Sequence, residues 1–172
     1  HTVHDFAPYL PAAFVFGVFF VVPTLLAFYF SLTRWTLFNA TFIGFDNYVT
    51  FLSEPMLMAG LRNTLIYAVI TSGLKVIISL PLATLLTSTI KLKGLFRGII
   101  FFPVLVSAVA VGITFSALMQ PTVGVINTAL GFLGLPQPDW LGDPKLALYS
   151  VALVDVWKGI GIAMVIFIAG IQ

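Results

Sequence analysis

Cysteine is absent from the 172 residues. That removes disulfide frameworks, thiol nucleophiles and cysteine-based metal sites. Charge is almost as scarce: Asp, Glu, Lys and Arg make up 8% of the chain, against about 25% in a soluble domain. A water-facing surface cannot be covered with so few charges. Lysines and arginines number 8 and acids 6, with no basic stripe or block. The small positive excess therefore reads as membrane topology and not as nucleic-acid affinity. Catalytic patterns are missing as well. There is no His-Glu-x-x-His, no Gly-x-Ser-x-Gly, no P-loop and no pair of carboxylates placed to work together. His1 and His4 have only Asp5 beside them, too few ligands for a metal site. No catalytic residue, metal or cofactor is expected, and the chain is read as a non-enzyme.

Hydrocarbon is abundant. Hydrophobic residues make up 60% of the sequence and the mean hydropathy is +1.11. A bilayer-crossing helix needs roughly 20 mostly apolar residues. Four segments qualify: Phe6–Leu32, Asn63–Ile90, Leu95–Met119 and Leu146–Gln172. No alternating pattern of about ten residues repeats along the chain, which disfavours a β-barrel. Helices satisfy their own backbone groups in lipid, so the expected fold is an all-α integral membrane protein, a multi-span helical bundle. Phe6–Leu32 is too long for a signal-peptide core and lacks its basic lead and cleavage site, so it is read as a retained span. The chain opens on His1 without a methionine, and its N-terminus is read as trimmed.

Lys91, Lys93 and Arg97 crowd the short link between the second and third spans, which the positive-inside rule assigns to the cytoplasm. The other links carry mixed charge and go outside: Arg34, Asp46, Glu54 and Arg62 in one, Asp139, Asp143 and Lys145 in the other. The N-terminus and Gln172 then lie inside. The chain divides into a first span over 1–33, an extracytoplasmic link over 34–61, and three spans over 62–172 with an outer loop at 120–145. Pro8 and Pro11 suit a helix start. Pro23, Pro81 and Pro103 predict distortions within spans. Asp46 is placed to cap a short helix Asn47–Ser53, stopped at Glu54-Pro55. Residues 124–130 read as a second short helix, ended by Gly131 and Gly134, with Trp140 as an interfacial anchor. Asn63-Thr64 and Gln120 read as helix-end hydrogen-bonding groups. Gly94-x-x-x-Gly98 fits a close helix crossing, weakened by Arg97.

Ionisable groups inside spans are rare and mark candidate sites. Lys75 lies near the middle of the second span. Asp155 and Lys158 lie in the fourth, three residues apart and so on one helix face. One reading makes them a polar lining for a substrate path. The other pairs Asp155 with Lys158, or with Lys75 across the bundle, as a packing device. Trp157 has the same two readings, a stacking surface for a sugar ring or a packing aromatic.

Several segments, taken in order, resemble one family. Phe19-Phe20-Val21-Val22-Pro23 precedes Phe30-Ser31-Leu32-Thr33. Phe42-Ile43-Gly44-Phe45-Asp46-Asn47-Tyr48 and Arg62-Asn63-Thr64-Leu65 follow. Then come Gly94-Leu95-Phe96-Arg97 with Phe101-Phe102-Pro103, and Gly124-Val125-Ile126-Asn127 with Trp140-Leu141-x-Asp143-Pro144. Trp157-Lys158 and Ala169-Gly170-Ile171-Gln172 close the series. The chain resembles permease subunits of bacterial ABC importers for sugars and glycerol 3-phosphate.

That resemblance implies a type I ABC importer permease fold, incomplete at four of about six spans, with 62–172 as the N-terminal part of the permease core. It implies truncation before the cytoplasmic Glu-Ala-Ala loop, through which the family docks its ATPase subunit dimer. Implied partners are a second homologous permease, those ATPase subunits and an extracytoplasmic solute-binding protein, with sugar or glycerol phosphate as cargo in the bacterial inner membrane. The implied mechanism is alternating access. Lys75, Asp155, Trp157 and Lys158 remain candidate path residues from span physics alone. Two competing readings are a secondary transporter, which needs inverted repeats and broken midplane helices that the sequence does not display, and a structural membrane protein without a path.

Overall fold

The computed structural model describes residues 9–88 and 90–171, in two compact units, His1–Leu61 and Arg62–Gln172. The first begins with a helical span, Leu10–Ser31, made of three pieces. Helix α1 (Leu10–Phe16) carries Pro11 in its first turn, where the missing N–H costs nothing. A single π-helical turn, Gly17–Val21, follows, and then α2 (Val22–Ser31). Pro23 accounts for the π turn. It has no N–H to give the carbonyl four residues back, and the ladder widens just before it, so that the Val22 N–H bonds the Gly17 carbonyl. The Thr24 hydroxyl donates to the Phe20 carbonyl at 2.6 Å. Pro8 lies outside the described residues.

Past Ser31 the chain forms a small antiparallel hairpin not anticipated from the sequence. Strand β1 (Thr33–Trp35) pairs with β2 (Ala40–Phe42), Arg34 standing opposite Thr41. Its four-residue turn is closed by a 2.9 Å bond from the Thr36 N–H to the Asn39 carbonyl. Helix α3 (Asp46–Ser53) follows, close to the expected position. Asp46 does not cap it, however. The cap position is Phe45, without a side-chain bond, and Asp46 supplies only negative charge in the first turn. The Asn47 amide ties α3 to the end of the span by donating to the Ser31 carbonyl at 2.9 Å and the Thr33 carbonyl at 3.0 Å.

Helix α4 (Pro55–Thr87) is 33 residues long, about 50 Å at 1.5 Å per residue against about 30 Å of hydrocarbon. It therefore starts well before the expected Asn63. Glu54 is extended, which ends α3, and Pro55 then serves as a helix-initiating residue rather than only a stop. Asn63 and Thr64 consequently lie inside α4 and do not open it. The helix continues through Pro81.

Leu92 takes a left-handed conformation, φ 62°, and turns the chain into α5 (Lys93–Leu105). The Arg97 guanidinium donates to the Leu86 carbonyl at 3.2 Å, in the last turn of α4, where a cation also suits the helix dipole. The expected third span is not one helix. α5 and α6 (Ala108–Leu118) meet at 93°, because Val106 is extended and Ser107 is also out of the helical conformation. Pro103 sits within α5, a few residues short of that break. Helix α7 (Val125–Phe132) lies in the following loop, ending two residues later than expected, and α8 (Ala147–Ile171) is the last candidate span. Three described helical segments are long and apolar enough to cross a membrane, four if the bent pair counts as one. The molecule is an all-α multi-pass membrane protein apart from the hairpin.

The core of the second unit gathers Ala83 and Leu86 of α4 with Met164 and Ile168 of α8, flanked by Ile100 of α5. α5 packs on α8 where Gly161 has no side chain. A Cβ there would stand 2.7 Å from the Ile100 carbonyl oxygen and 2.9 Å from the Phe101 Cα. Gly94 and Gly98 have no such neighbours within 4 Å. The close crossing expected at that pair is thus found at Gly161, where α5 meets α8 backbone to side.

Candidate functional site

The site is built on α4 and α8. Tyr67, Thr71, Lys75 and Ser79 recur every fourth residue of α4 and so share one slowly turning face. Two of the four satisfy themselves inside the helix. The Thr71 hydroxyl donates to the Tyr67 carbonyl at 2.9 Å, and the Ser79 hydroxyl donates to the Lys75 carbonyl. The two longer side chains leave the helix and converge on α8. Lys75 Nζ donates to Asp155 Oδ2 at 2.6 Å, the one ion pair among the described residues. Tyr67 is within electrostatic reach of the same carboxylate. A charge taken into lipid alone costs several kcal/mol; with side-chain exposures of 26% and 36%, this lysine and aspartate cover much of each other's charge.

Gly159 makes the approach possible. It stands one turn after Asp155, and the Lys75 side chain passes over it. A Cβ at 159 would collide with Lys75 Cε.

Lys75 and Asp155 come together. Lys158 does not pair with Asp155, because that carboxylate is taken up by Lys75, and no hydrogen bond or ion pair to Lys158 is found among the described residues. Asp155 and Lys158 do share a cavity of about 390 Å³, walled by Val111 and Phe115 of α6, by Met119 just past its end and by Leu141. Trp157 packs its ring on Phe115, centroids 5.3 Å apart in a tilted arrangement, and is 43% exposed. The arrangement offers one cationic donor, one carboxylate edge and an apolar wall, suited to holding polar groups by hydrogen bonds and not to bond-breaking chemistry. His1, His4 and Asp5 lie outside the described residues.

Sequence reasoning missed Tyr67 and Gly159. The four-residue recurrence from Tyr67 to Ser79 carried the signal for the first. Nothing local marked the second, since its role depends on a lysine 84 positions earlier in the chain (159 − 75).

The loop between α6 and α8 has its own polar centre. Asn127, 2% exposed, donates to the carbonyls of Pro121 at 3.1 Å and Pro138 at 2.9 Å. It accepts the Trp140 indole N–H at 2.8 Å. Trp140, expected as an interfacial anchor, thus has its N–H committed within the loop. Gln120, read as a helix-end group, accepts the N–H groups of Thr122 and Val123 just past α6.

This is the architecture of an ABC-importer permease. The chain superposes with a TM-score of 0.80 on a bacterial ABC transporter involved in import of the acidic polysaccharide alginate, at 22% identity, covering 96% of this chain and 56% of that one. In sequence it is 36% identical over 167 residues to a probable ABC transporter permease protein of Sinorhizobium fredii, covering 95% of this chain and 54% of the relative. It is 31% identical to the diacetylchitobiose uptake system permease of Streptomyces coelicolor, over 92% of this chain and 49% of that protein. It is 28% identical to the sn-glycerol-3-phosphate transport system permease of Pectobacterium atrosepticum, over 95% and 56%. No family model matches the chain. The chain is thus similar along nearly its whole length to ABC-transporter permeases, the family its motifs resemble. It spans about half the length of the curated relatives it matches.

Proposed function

We propose that this chain forms part of the translocation path of a permease subunit in an ATP-driven carbohydrate importer of the bacterial inner membrane. Its carrying observation is the similarity along 92–95% of its length to permeases named for a diacetylchitobiose and a glycerol-3-phosphate system. The solved relative complexed with a pentasaccharide-bound periplasmic protein supports the same reading of how cargo arrives. A binding protein delivers sugar to the outer loops, a second permease completes the path, and separate ATPase subunits drive the exchange between inward-open and outward-open states. The N-terminus is cytoplasmic, and 62–172 forms the first part of the permease core.

Within that path, Asp155, Trp157 and Lys158 line the cargo side of α8, while Lys75 holds Asp155 in place from α4. The importer's motion is a population shift driven by partners that bind the two states unequally. The experiment is ATP hydrolysis by the full-length protein assembled with its second permease and ATPase subunits. Stimulation by a sugar-loaded binding protein is expected. Hydrolysis indifferent to every loaded binding protein tried would remove the reading.

A further inference from the structure

The hairpin following the first span has the wrong composition for a water-exposed turn. Turns at a protein surface are rich in Gly, Pro, Asn, Asp and Ser, yet here the tip is Leu37-Phe38. These two are the most exposed large hydrophobic residues described, at 97% and 91%. Trp35 and Phe42 on the strands are also exposed, and the one charged residue is Arg34. A hairpin of two three-residue strands is marginal by itself, but this one is fastened. Thr33 is buried, Asn47 holds the carbonyls on either side of the span's end, and the Ile43 N–H returns to the Leu32 carbonyl at 2.9 Å.

The hairpin's level relative to the membrane is set by one contact. The Trp35 ring packs on Phe30 with centroids 4.8 Å apart. Phe30 belongs to the last turn of the Leu10–Ser31 span. The hairpin therefore starts where the span's apolar surface ends and continues that surface outward. Tryptophan at that level is the residue type of the membrane–water boundary, with an apolar ring and an N–H for the headgroups. A lone arginine beside it suits anionic phosphates.

We propose that the hairpin Thr33–Phe42 is a lipid-interface anchor. Trp35, Leu37 and Phe38 enter the boundary between headgroups and acyl chains and fix the height and tilt of the first span. Its occupant is the bilayer, because the apolar surface is continuous with the lipid-facing span through the Phe30–Trp35 contact.

The test uses the full-length protein in its assembled complex, in vesicles of phosphatidylcholine and phosphatidylglycerol. Phe38→Cys carries a nitroxide in a background free of other cysteines, and Leu37→Cys serves as a second position should the first fail to assemble. Collision with oxygen, concentrated in lipid, is expected to exceed collision with a water-soluble nickel chelate several-fold at both positions. Equal or greater collision with the chelate overturns the proposal. Low collision with both reagents also overturns it, by burying the tip in a protein contact. So does chelate access that disappears only when the binding protein is added, which would make the hairpin a protein-docking surface.

Discussion

Lys75 and Asp155, 80 positions apart in sequence, meet at 2.6 Å and join α4 to α8 through the middle of two apolar helices. The pair explains why a span tolerates a lysine and its neighbour an aspartate. Each charge offsets the other at 2.6 Å, and Tyr67 stands within electrostatic reach of the same carboxylate.

Asp155→Asn should leave Lys75 without a counter-ion and lower the stability of the full-length complex by about 1–3 kcal/mol. Exchanging the partners, Lys75→Asp with Asp155→Lys, should recover part of that loss. Thermal unfolding of the purified complex reads both. A swap no better than its two single variants would mean that the pair contributes little in its own right.

Two glycines on α8 should respond differently to alanine. At Gly159 the new Cβ meets Lys75 Cε, the far end of a flexible chain that can move aside. At Gly161 it meets the Ile100 carbonyl oxygen and the Phe101 Cα, backbone that cannot yield cheaply. Gly161→Ala should therefore cost more, toward the upper end of the about 1–3 kcal/mol typical of overpacking, and Gly159→Ala less. The two unfolding temperatures decide the order.

Asn127→Ala removes both proline-carbonyl bonds and orphans the Trp140 indole N–H. About 2–3 kcal/mol of local stability should be lost. Amide exchange across 121–140 should accelerate while exchange in α4 stays unchanged. Equal acceleration in α4 would show that the loop is not an independent unit.

Lys158→Gln tests the cavity. Lys158 has no partner among the described residues, so stability should hold within about 0.5 kcal/mol, the usual range for a substitution away from such contacts. Transport by the full complex should fall. A loss of stability with transport per folded molecule unchanged would make Lys158 a packing residue.

What could be read beforehand follows from how local each signal is. The apolar runs that became Leu10–Ser31, Pro55–Thr87 and Ala147–Ile171 are long, and hydropathy alone finds them. Pro103 predicts a distortion in the run from Leu95 to Met119, but the 93° break itself falls at Val106-Ser107, which carries neither glycine nor proline and so marks neither its place nor its size. Glu54-Pro55 reads as the end of the short helix, and α3 does end there; that Pro55 also starts the next helix is the part that only the fold decides. Lys75 and Asp155 stood out as intramembrane charges, yet their pairing over Lys158 with Asp155 depends on how α4 and α8 pack. The same holds for the glycines: the spaced pair Gly94 and Gly98 faces open space, and the close approach falls at Gly161.

The central claim, that this chain lines the path of an ATP-driven sugar importer, is tested most directly by uptake of labelled cargo into vesicles. The vesicles would hold the full-length protein with its second permease and ATPase subunits, and the loaded binding protein would be added outside. The account predicts accumulation of a sugar or of glycerol phosphate that requires ATP on the inner side and the binding protein on the outer side. Accumulation driven by a proton or sodium gradient, without ATP and without the binding protein, would contradict it.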